Sequence, residues 1–589
     1  MASFLWILLF SVGFRIAGAK IYDSLSELKN SQFDIIICGG GNAGLVLANR
    51  LSENPAVQVL VIEAGGRTQD DPDTQIPFLD INLLADRAKY QWNTTTTPQK
   101  GLLGKTINYP RGFGLGGSTA HNGMIWIKGS VDDYDNWAKV TGDDGWSYNA
   151  LEPYMKKVER FTNPTEKGPD FLNGKFNPQA HGFQGPLGIS IIGNEDRIDD
   201  LVVEVLKSKE FNMSVVDGND KSALGIWWIQ SSVSGGTRSS SATSYLDPID
   251  CRPNLSVVIN TQVTRVIQTK KGDFRTVEVA GGPKEPRLTF TARKEVILSA
   301  GVVGSAQLLL LSGIGHKQEL AAVGVKLTHE SPNVGKGLSN QPQTLFSWGG
   351  NFTMNSLIAN QTFFDESLAR WNKNHTGPMN TVPANLVSAF RLPENSTLLK
   401  GIEDPSAGPR TPHYYMGLAT TEYFNSGSQP TIGAVLQVSE PISRGSVTLN
   451  SNDPFDQPNV DLAFLVEDLD TQILLQAYRT AKAQIEHPLM KGFALDRLSP
   501  PPEVQIDDDI IIYMRNNTIA TSHAVGTAAM SRNGSHDGVV GPDLKVKGIK
   551  GLRVVDASVF PVNLQMNNQA AVYHLAERAS DLIKHEWHL

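Results

Sequence analysis

Residues 33–66 read FDIIICGGGNAGLVLANRLSENPAVQVLVIEAGG. Ile35-Ile36-Ile37-Cys38 is a continuous apolar run, the pattern of a strand buried on both faces. Gly39, Gly41 and Gly44 follow in G-x-G-x-x-G spacing, and an Ala/Leu/Val-rich helix is predicted from there to about Ser52. A second apolar strand, Val57 to Ile62, ends on Glu63. Each part has a physical task. Gly39 permits a tight turn, Gly41 lets backbone approach a pyrophosphate, and Gly44 lets helix and strand pack closely. The helix N-terminus offers unpaired N–H groups and a positive dipole end to phosphate. Glu63 stands 19 residues beyond Gly44, where a carboxylate accepts hydrogen bonds from adenosine ribose hydroxyls. A free ribose hydroxyl fits NAD or FAD and disfavours NADP, and the glycines alone do not separate the first two.

The chain around this unit has 589 residues, enough for two or more structural units. Its apolar content of 40% and charged content of 19% are those of an ordinary globular protein. A formal charge of −8 without a basic block argues against a nucleic-acid partner. Phe4 to Phe14 is a short apolar run, and Ala17-Gly18-Ala19 is a small-residue cleavage pattern before Lys20, so residues 1–19 read as a secretory signal. No stretch is long enough for a membrane span. Asn93, Asn212, Asn254, Asn351, Asn360, Asn374, Asn395, Asn516 and Asn533 each open an Asn-x-Ser/Thr triplet, which fits a secreted glycoprotein. The two cysteines, Cys38 and Cys251, exclude a disulfide-built scaffold, and Cys38 is expected buried in its strand.

Further segments resemble the glucose-methanol-choline (GMC) oxidoreductase family. They are RGFGLGGSTAHNGM from Arg111, SAGVVGSAQLLLLSGIG from Ser299, SRGSVTLNSNDPFDQP from Ser443, TSHAVGTAAM from Thr521, and GLRVVDASVFP with MNNQAAVYHLAERASDLI near the C-terminus. The residues themselves place a short strand at Arg553 to Asp556 and a helix from about Ala570 to Lys584. Val257 to Val266 and Glu295 to Ala300 are further strand candidates. The chain's end therefore returns to the cofactor-binding sheet. The expected fold is α/β (α+β overall): a discontinuous Rossmann-like FAD-binding domain plus a substrate domain with an antiparallel sheet covered by helices. The expected boundaries are 20–150, 231–330 and 521–589 for the FAD-binding parts, the last carrying the catalytic segment, and 151–230 and 331–520 for the substrate domain.

The resemblance implies FAD, with Gly116, Ser118, Asn122, Gly123, Gly301 and Asp556 against the flavin and the Val263 backbone at the adenine. Removing an alcohol proton while hydride leaves the carbon for flavin N5 calls for a positioned base, and histidine suits neutral pH. His523 stands at the position of the family's catalytic histidine. His181, His316, His329 and His413 read as surface or structural. The family's second position, His or Asn, falls on Asn567, a donor to the alcohol oxygen, with Asn568 the adjacent alternative. No metal is implied.

HNGM after the glycine pair, SSSATSYL at Ser239 and DLKVKG at Asp543 are similar to the fungal secreted branch that holds pyranose dehydrogenases and aryl-alcohol oxidases. His121 is then either a covalent anchor to the flavin 8α-methyl, as in pyranose dehydrogenases, or a noncovalent neighbour; HNG favours the anchor. The resemblance implies a secreted monomer that oxidises a sugar with a quinone or other acceptor. The alternatives are an aryl-alcohol oxidase-like enzyme acting with O2 on an aromatic or allylic alcohol, and a natural-product alcohol oxidase. Both branches carry His where this chain has Asn567, which loosens the link to sugars. Two other classes compete: a flavin-retaining lyase and a secreted binding protein that has lost catalysis.

Overall fold

A computed structural model describes residues 20–28, 31–85, 88–193, 197–352, 356–382, 384–420 and 430–589, with the Arg197 side chain outside the description. The expected signal segment, 1–19, lies outside these residues.

The strand predicted from the opening motif runs Phe33–Cys38 and is buried at every position. Its three isoleucines are fully shielded, worth roughly 1.5–3 kcal/mol each as an upper estimate. It pairs in parallel with Val59–Ile62 on one side and with the C-terminal half of Leu288–Leu298 on the other. The parallel set continues outward through Leu255–Val258 to Lys20–Tyr22, and at the opposite side through Leu552–Val554. The sheet is thus assembled from widely separated parts of the chain. Gln262–Ile267 and Thr276–Ala280 extend it as an antiparallel meander through the N-terminal half of Leu288–Leu298.

Two strand expectations are corrected in extent. The run Val257 to Val266 is two strands, because Asn260 turns the chain with φ at 52°, a left-handed conformation asparagine tolerates. Glu295 to Ala300 is the end of a strand that starts at Leu288; the earlier half exposes several of its residues and so carries no continuous apolar signal. The predicted helices run Asn42–Leu51 and Gln569–Trp587, and they pack on each other.

The second large sheet is antiparallel throughout. Its order is Ala494–Ser499, Pro342–Gly350, Thr431–Val438, Tyr414–Ala419, Leu386–Phe390, Gly225–Trp228, with Thr518–Ala520 also on Pro342–Gly350. Alternation along its strands gives it two faces. The helix Asp468–Ile485 covers one face at its central strands. Gln343, Tyr415, Gly417, Val435 and Gln437 project from the other toward a cavity shared with the first sheet.

Cys38 is buried, Cys251 is exposed, and both are free thiols. Seven of the Asn-x-Ser/Thr asparagines are exposed and Asn516 is half-buried. Asn254 is the exception. It is buried, and its Nδ2 reaches the backbone carbonyls of Ser52, Asn54 and Val57 at 2.9–3.1 Å, so it has no room for a glycan. Among the described residues no helix is long and apolar enough to cross a membrane.

Candidate active site

A cavity of about 1220 Å³ opens at the carboxyl ends of the parallel strands. Cys38, Ile62, Glu63, Ser299 and Asp556, each at or just beyond a strand end, line it. That is where open α/β sheets bind ligands. Of the residues expected at the site, Gly39, Gly41, Glu63, Ser118, His121, Asn122, Gly123, Val263, Gly301, His523, Asp556, Asn567 and Asn568 all line this one cavity. Gly44 and Gly116 do not. A Cβ at Gly44 would meet the Gly39 carbonyl at 2.0 Å, so it closes helix onto strand. Gly116, at φ 89°, donates its N–H to the Gly40 carbonyl and packs against Ala120 and Ala242.

The nucleotide end is built to be approached. A Cβ on Gly41 would have only the Gly117 Cα within 4 Å, at 3.8 Å, so the space beside the N-terminus of Asn42–Leu51 is clear of protein atoms. A Cβ on Gly301, at φ 78° and opening the helix Gly301–Leu311, meets nothing within 4 Å. Glu63, expected at a ribose, is engaged with backbone. Its carboxylate accepts the N–H groups of Gly40 at 2.8 Å, Gly65 at 2.9 Å and Gly114 at 3.1 Å, which clasps three loops around the cofactor space. Burial nevertheless holds its pKa above the usual carboxylate value. Asp556 behaves alike, accepting from the Gly301 N–H, the Ser305 hydroxyl and the Ser558 N–H.

At the other end, His523 and Asn567 meet from segments 44 residues apart, with Asn567 Nδ2 at 2.9 Å from His523 Nε2. Asn568 supports the same histidine, its Nδ2 donating to the His523 carbonyl at 2.9 Å. The other imidazole nitrogen, Nδ1, is 3.0 Å from Gln341 Oε1, and the His523 N–H donates to Asn340 Oδ1 at 3.1 Å. Arg111 donates to the Ser522 carbonyl just before it. The histidine's accessible edge faces the cavity it lines. Burial pushes its imidazole down to about 3, and the Arg111 charge adds to the shift.

His121 is 4% exposed, and neither ring nitrogen makes a hydrogen bond of ordinary geometry. Burial pulls its pKa down to about 4. Asn122 is held by Arg238 and by Gln569. The sequence reading missed Asn340, Gln341 and Gln437, which lie in no motif. Arg111 lies within the RGFGLGGSTAHNGM segment, whose pattern alone gives it no task.

A dinucleotide-sized cavity, glycine-lined at one end and holding a half-buried histidine at the other, fits a dinucleotide-dependent oxidoreductase. The chain belongs to the GMC oxidoreductase family. The family's N-terminal model matches residues 33–343 and its C-terminal model residues 441–576. Pyranose dehydrogenase 3 of Leucoagaricus meleagris is 39% identical over 97% of this chain and 96% of its own length. An FAD-dependent oxidoreductase from Chaetomium thermophilum superposes with a TM-score of 0.85 at 26% identity, covering 95% of this chain and all of that one. A fungal aryl-alcohol oxidase does so with a TM-score of 0.84 at 25% identity over the same shares. The protein is an FAD-dependent oxidoreductase acting on CH–OH donors.

Proposed function

We propose that His523 is the general base of alcohol oxidation and that Asn567 donates a hydrogen bond to the alcohol oxygen. The contact between Asn567 Nδ2 and His523 Nε2 carries this reading. An alcohol entering there replaces that contact with two: its O–H turned to Nε2 and its oxygen accepting from Asn567. The proton passes to Nε2 as the C–H bond breaks, and Asn567 steadies the negative charge growing on the oxygen. Bound FAD supplies the hydride acceptor. Gly41 and its helix N-terminus would hold the pyrophosphate, Glu63 the ribose, the Val263 backbone the adenine. Ser118, Asn122, Gly123, Gly301 and Asp556 would hold the flavin end. His121 fits a covalent anchor, since its two unpartnered buried nitrogens leave one free to bond carbon.

The name of the pyranose dehydrogenase relative supports a sugar as substrate; secretion rests on the signal-like residues 1–19, and a quinone or other acceptor completes the reading. A second reading rests on the wall around the reacting pair. Ile125, Ile229, Ala384, Val387, Val435 and Met566 line the same cavity as the pair, together with the polar Gln343, Tyr415, Gln437 and Thr521. Such a wall suits an aromatic or allylic alcohol better than a ring of hydroxyls. Anaerobic mixing with pyranoses and with benzylic and allylic alcohols tests both. Bleaching of the flavin absorbance by at least one alcohol is expected, and its identity selects the substrate class. A flavin that stays oxidised with all of them overturns the redox reading and leaves the lyase or binding-protein alternatives.

A further inference from the structure

We propose that Gln341 is a positioning residue that fixes the tautomer of His523, so that Nε2 presents its lone pair to the substrate. The proposal rests on the reading of His523 as proton acceptor.

Gln341 is fully buried, and its amide cannot turn over. Its Nε2 donates to the Ser439 carbonyl at 2.5 Å and the Leu564 carbonyl at 2.9 Å, so both amide hydrogens are committed to acceptors that cannot donate in return. Flipping the amide would set its oxygen against two carbonyl oxygens. Oε1 is therefore held toward His523 Nδ1, and it also accepts from Gln437 Nε2 at 2.7 Å. A carbonyl oxygen only accepts, so the hydrogen on the 3.0 Å contact belongs to Nδ1. The neutral imidazole carries one proton, which leaves Nε2 bare. Asn567 then has a single sensible orientation, Nδ2 toward Nε2, and its Oδ1 is without a partner.

The alternative state shows why a lock matters. With the proton on Nε2, Asn567 could turn its unpartnered Oδ1 to accept it, and the pair would be satisfied but dead, with no lone pair for the alcohol. Asn567 cannot tell the two tautomers apart. Gln341 can, because its own orientation is set by the backbone on the far side. The same contact helps after proton transfer: the imidazolium keeps its Nδ1–H on Gln341 Oε1 while the new proton sits on Nε2. Arg111, the charged group acting on His523, opposes that cation, which makes the neutral hydrogen-bond acceptor the more useful partner.

The test combines ¹⁵N-histidine NMR of the FAD-loaded enzyme with anaerobic flavin reduction in Gln341→Met and Gln341→Glu. His523, assigned by the resonance lost in His523→Ala, is expected to show a protonated Nδ1 and a bare Nε2 in the wild type. Gln341→Met should lose that preference and reduce flavin roughly 10²-fold more slowly with substrate affinity kept, as a base in the wrong tautomer does. Gln341→Glu restores an acceptor and adds a negative charge, so the Nδ1 proton should return and the acid limb of the rate should move up by at least one pH unit. Flavin absorbance and melting temperature confirm that each variant is folded. A protonated Nε2 in the wild type overturns the proposal, as does Gln341→Met with lowered stability but an unchanged rate. Failure of the base role itself is read separately, from an unimpaired His523→Ala.

Discussion

His523 Nε2 and Asn567 Nδ2 lie 2.9 Å apart, a contact between a loop preceded by a left-handed Ser522 (φ 60°) and the residues leading into the C-terminal helix. If this pair performs the proton transfer, His523→Ala lowers the flavin reduction rate by roughly 10²–10⁴ and leaves FAD bound. Asn567→Ala, which removes only a hydrogen-bond donor, costs roughly 10²-fold. Rapid-mixing reduction with a good alcohol substrate measures both. Near-normal reduction in His523→Ala would remove it from the base role, and an unchanged Asn567→Ala would shift the donor to Asn568.

The pH dependence has a definite sign. The His523 imidazole is pulled from the usual 6.5 down to about 3, so it stays neutral across the neutral range. Protonation shuts off the base only well below pH 6. The reduction rate constant is expected to be flat from about pH 5 to 8. An acid limb centred near pH 6.5 would show an imidazole in an ordinary, wetter environment.

The nucleotide half of the fold was legible because its signal is local. Strand, three glycines, helix and acid lie within residues 33–66, and the structure has the strand, turn and helix there with the second strand two residues shorter. His523 and Asn567 became visible only through resemblance, since nothing in their immediate sequence says that they meet. Gln341 was not legible at all. Its task comes from carbonyls 98 and 223 residues away and an imidazole 182 residues away, and no local pattern encodes such contacts. The structural reading of His181 agrees with its place between Glu159 and Asp217, although those remote partners are not legible in its local sequence.

The proposed covalent anchor at His121 makes a direct prediction. A buried imidazole with no hydrogen bond of ordinary geometry costs roughly 1–3 kcal/mol, which a covalent bond to the flavin would offset. Acid precipitation of the wild type should leave the yellow colour in the pellet, and His121→Ala should release it to the supernatant. Colour released from the wild type would make His121 a noncovalent neighbour.

Asn254 is expected to carry no glycan in the folded protein, unlike exposed Asn93, Asn212, Asn395 and Asn533. Glycopeptide mapping reads this directly. Asn254→Ala strips the carbonyls of Ser52, Asn54 and Val57 of a shared donor just before the strand Leu255–Val258. A loss of about 1–3 kcal/mol in unfolding free energy is expected. A glycan on Asn254 in active enzyme would mean that this turn is open in solution.

His181 stands between two carboxylates, with Nδ1 at 3.1 Å from Glu159 and Nε2 at 2.9 Å from Asp217. Both nitrogens lie against carboxylates, a geometry that favours the imidazolium, and the pKa is raised because, against the cost of burial, the Glu159 and Asp217 charges and hydrogen bonds prevail. Glu159, with Lys128 also beside it at 3.4 Å, is held down at about 2 and stays ionised throughout the working range. A histidine whose folded pKa lies above its unfolded value of about 6.5 contributes fully below that value. The contribution fades as pH rises through the folded pKa. His181→Ala leaves the carboxylates short of one cation and is expected to cost about 3–5 kcal/mol at pH 6. The gap in melting temperature between wild type and His181→Ala should therefore be widest near pH 6 and narrow as pH rises through the folded pKa. A gap that widens with pH would mean that the ring is neutral in the folded protein and that His181 acts only by filling space.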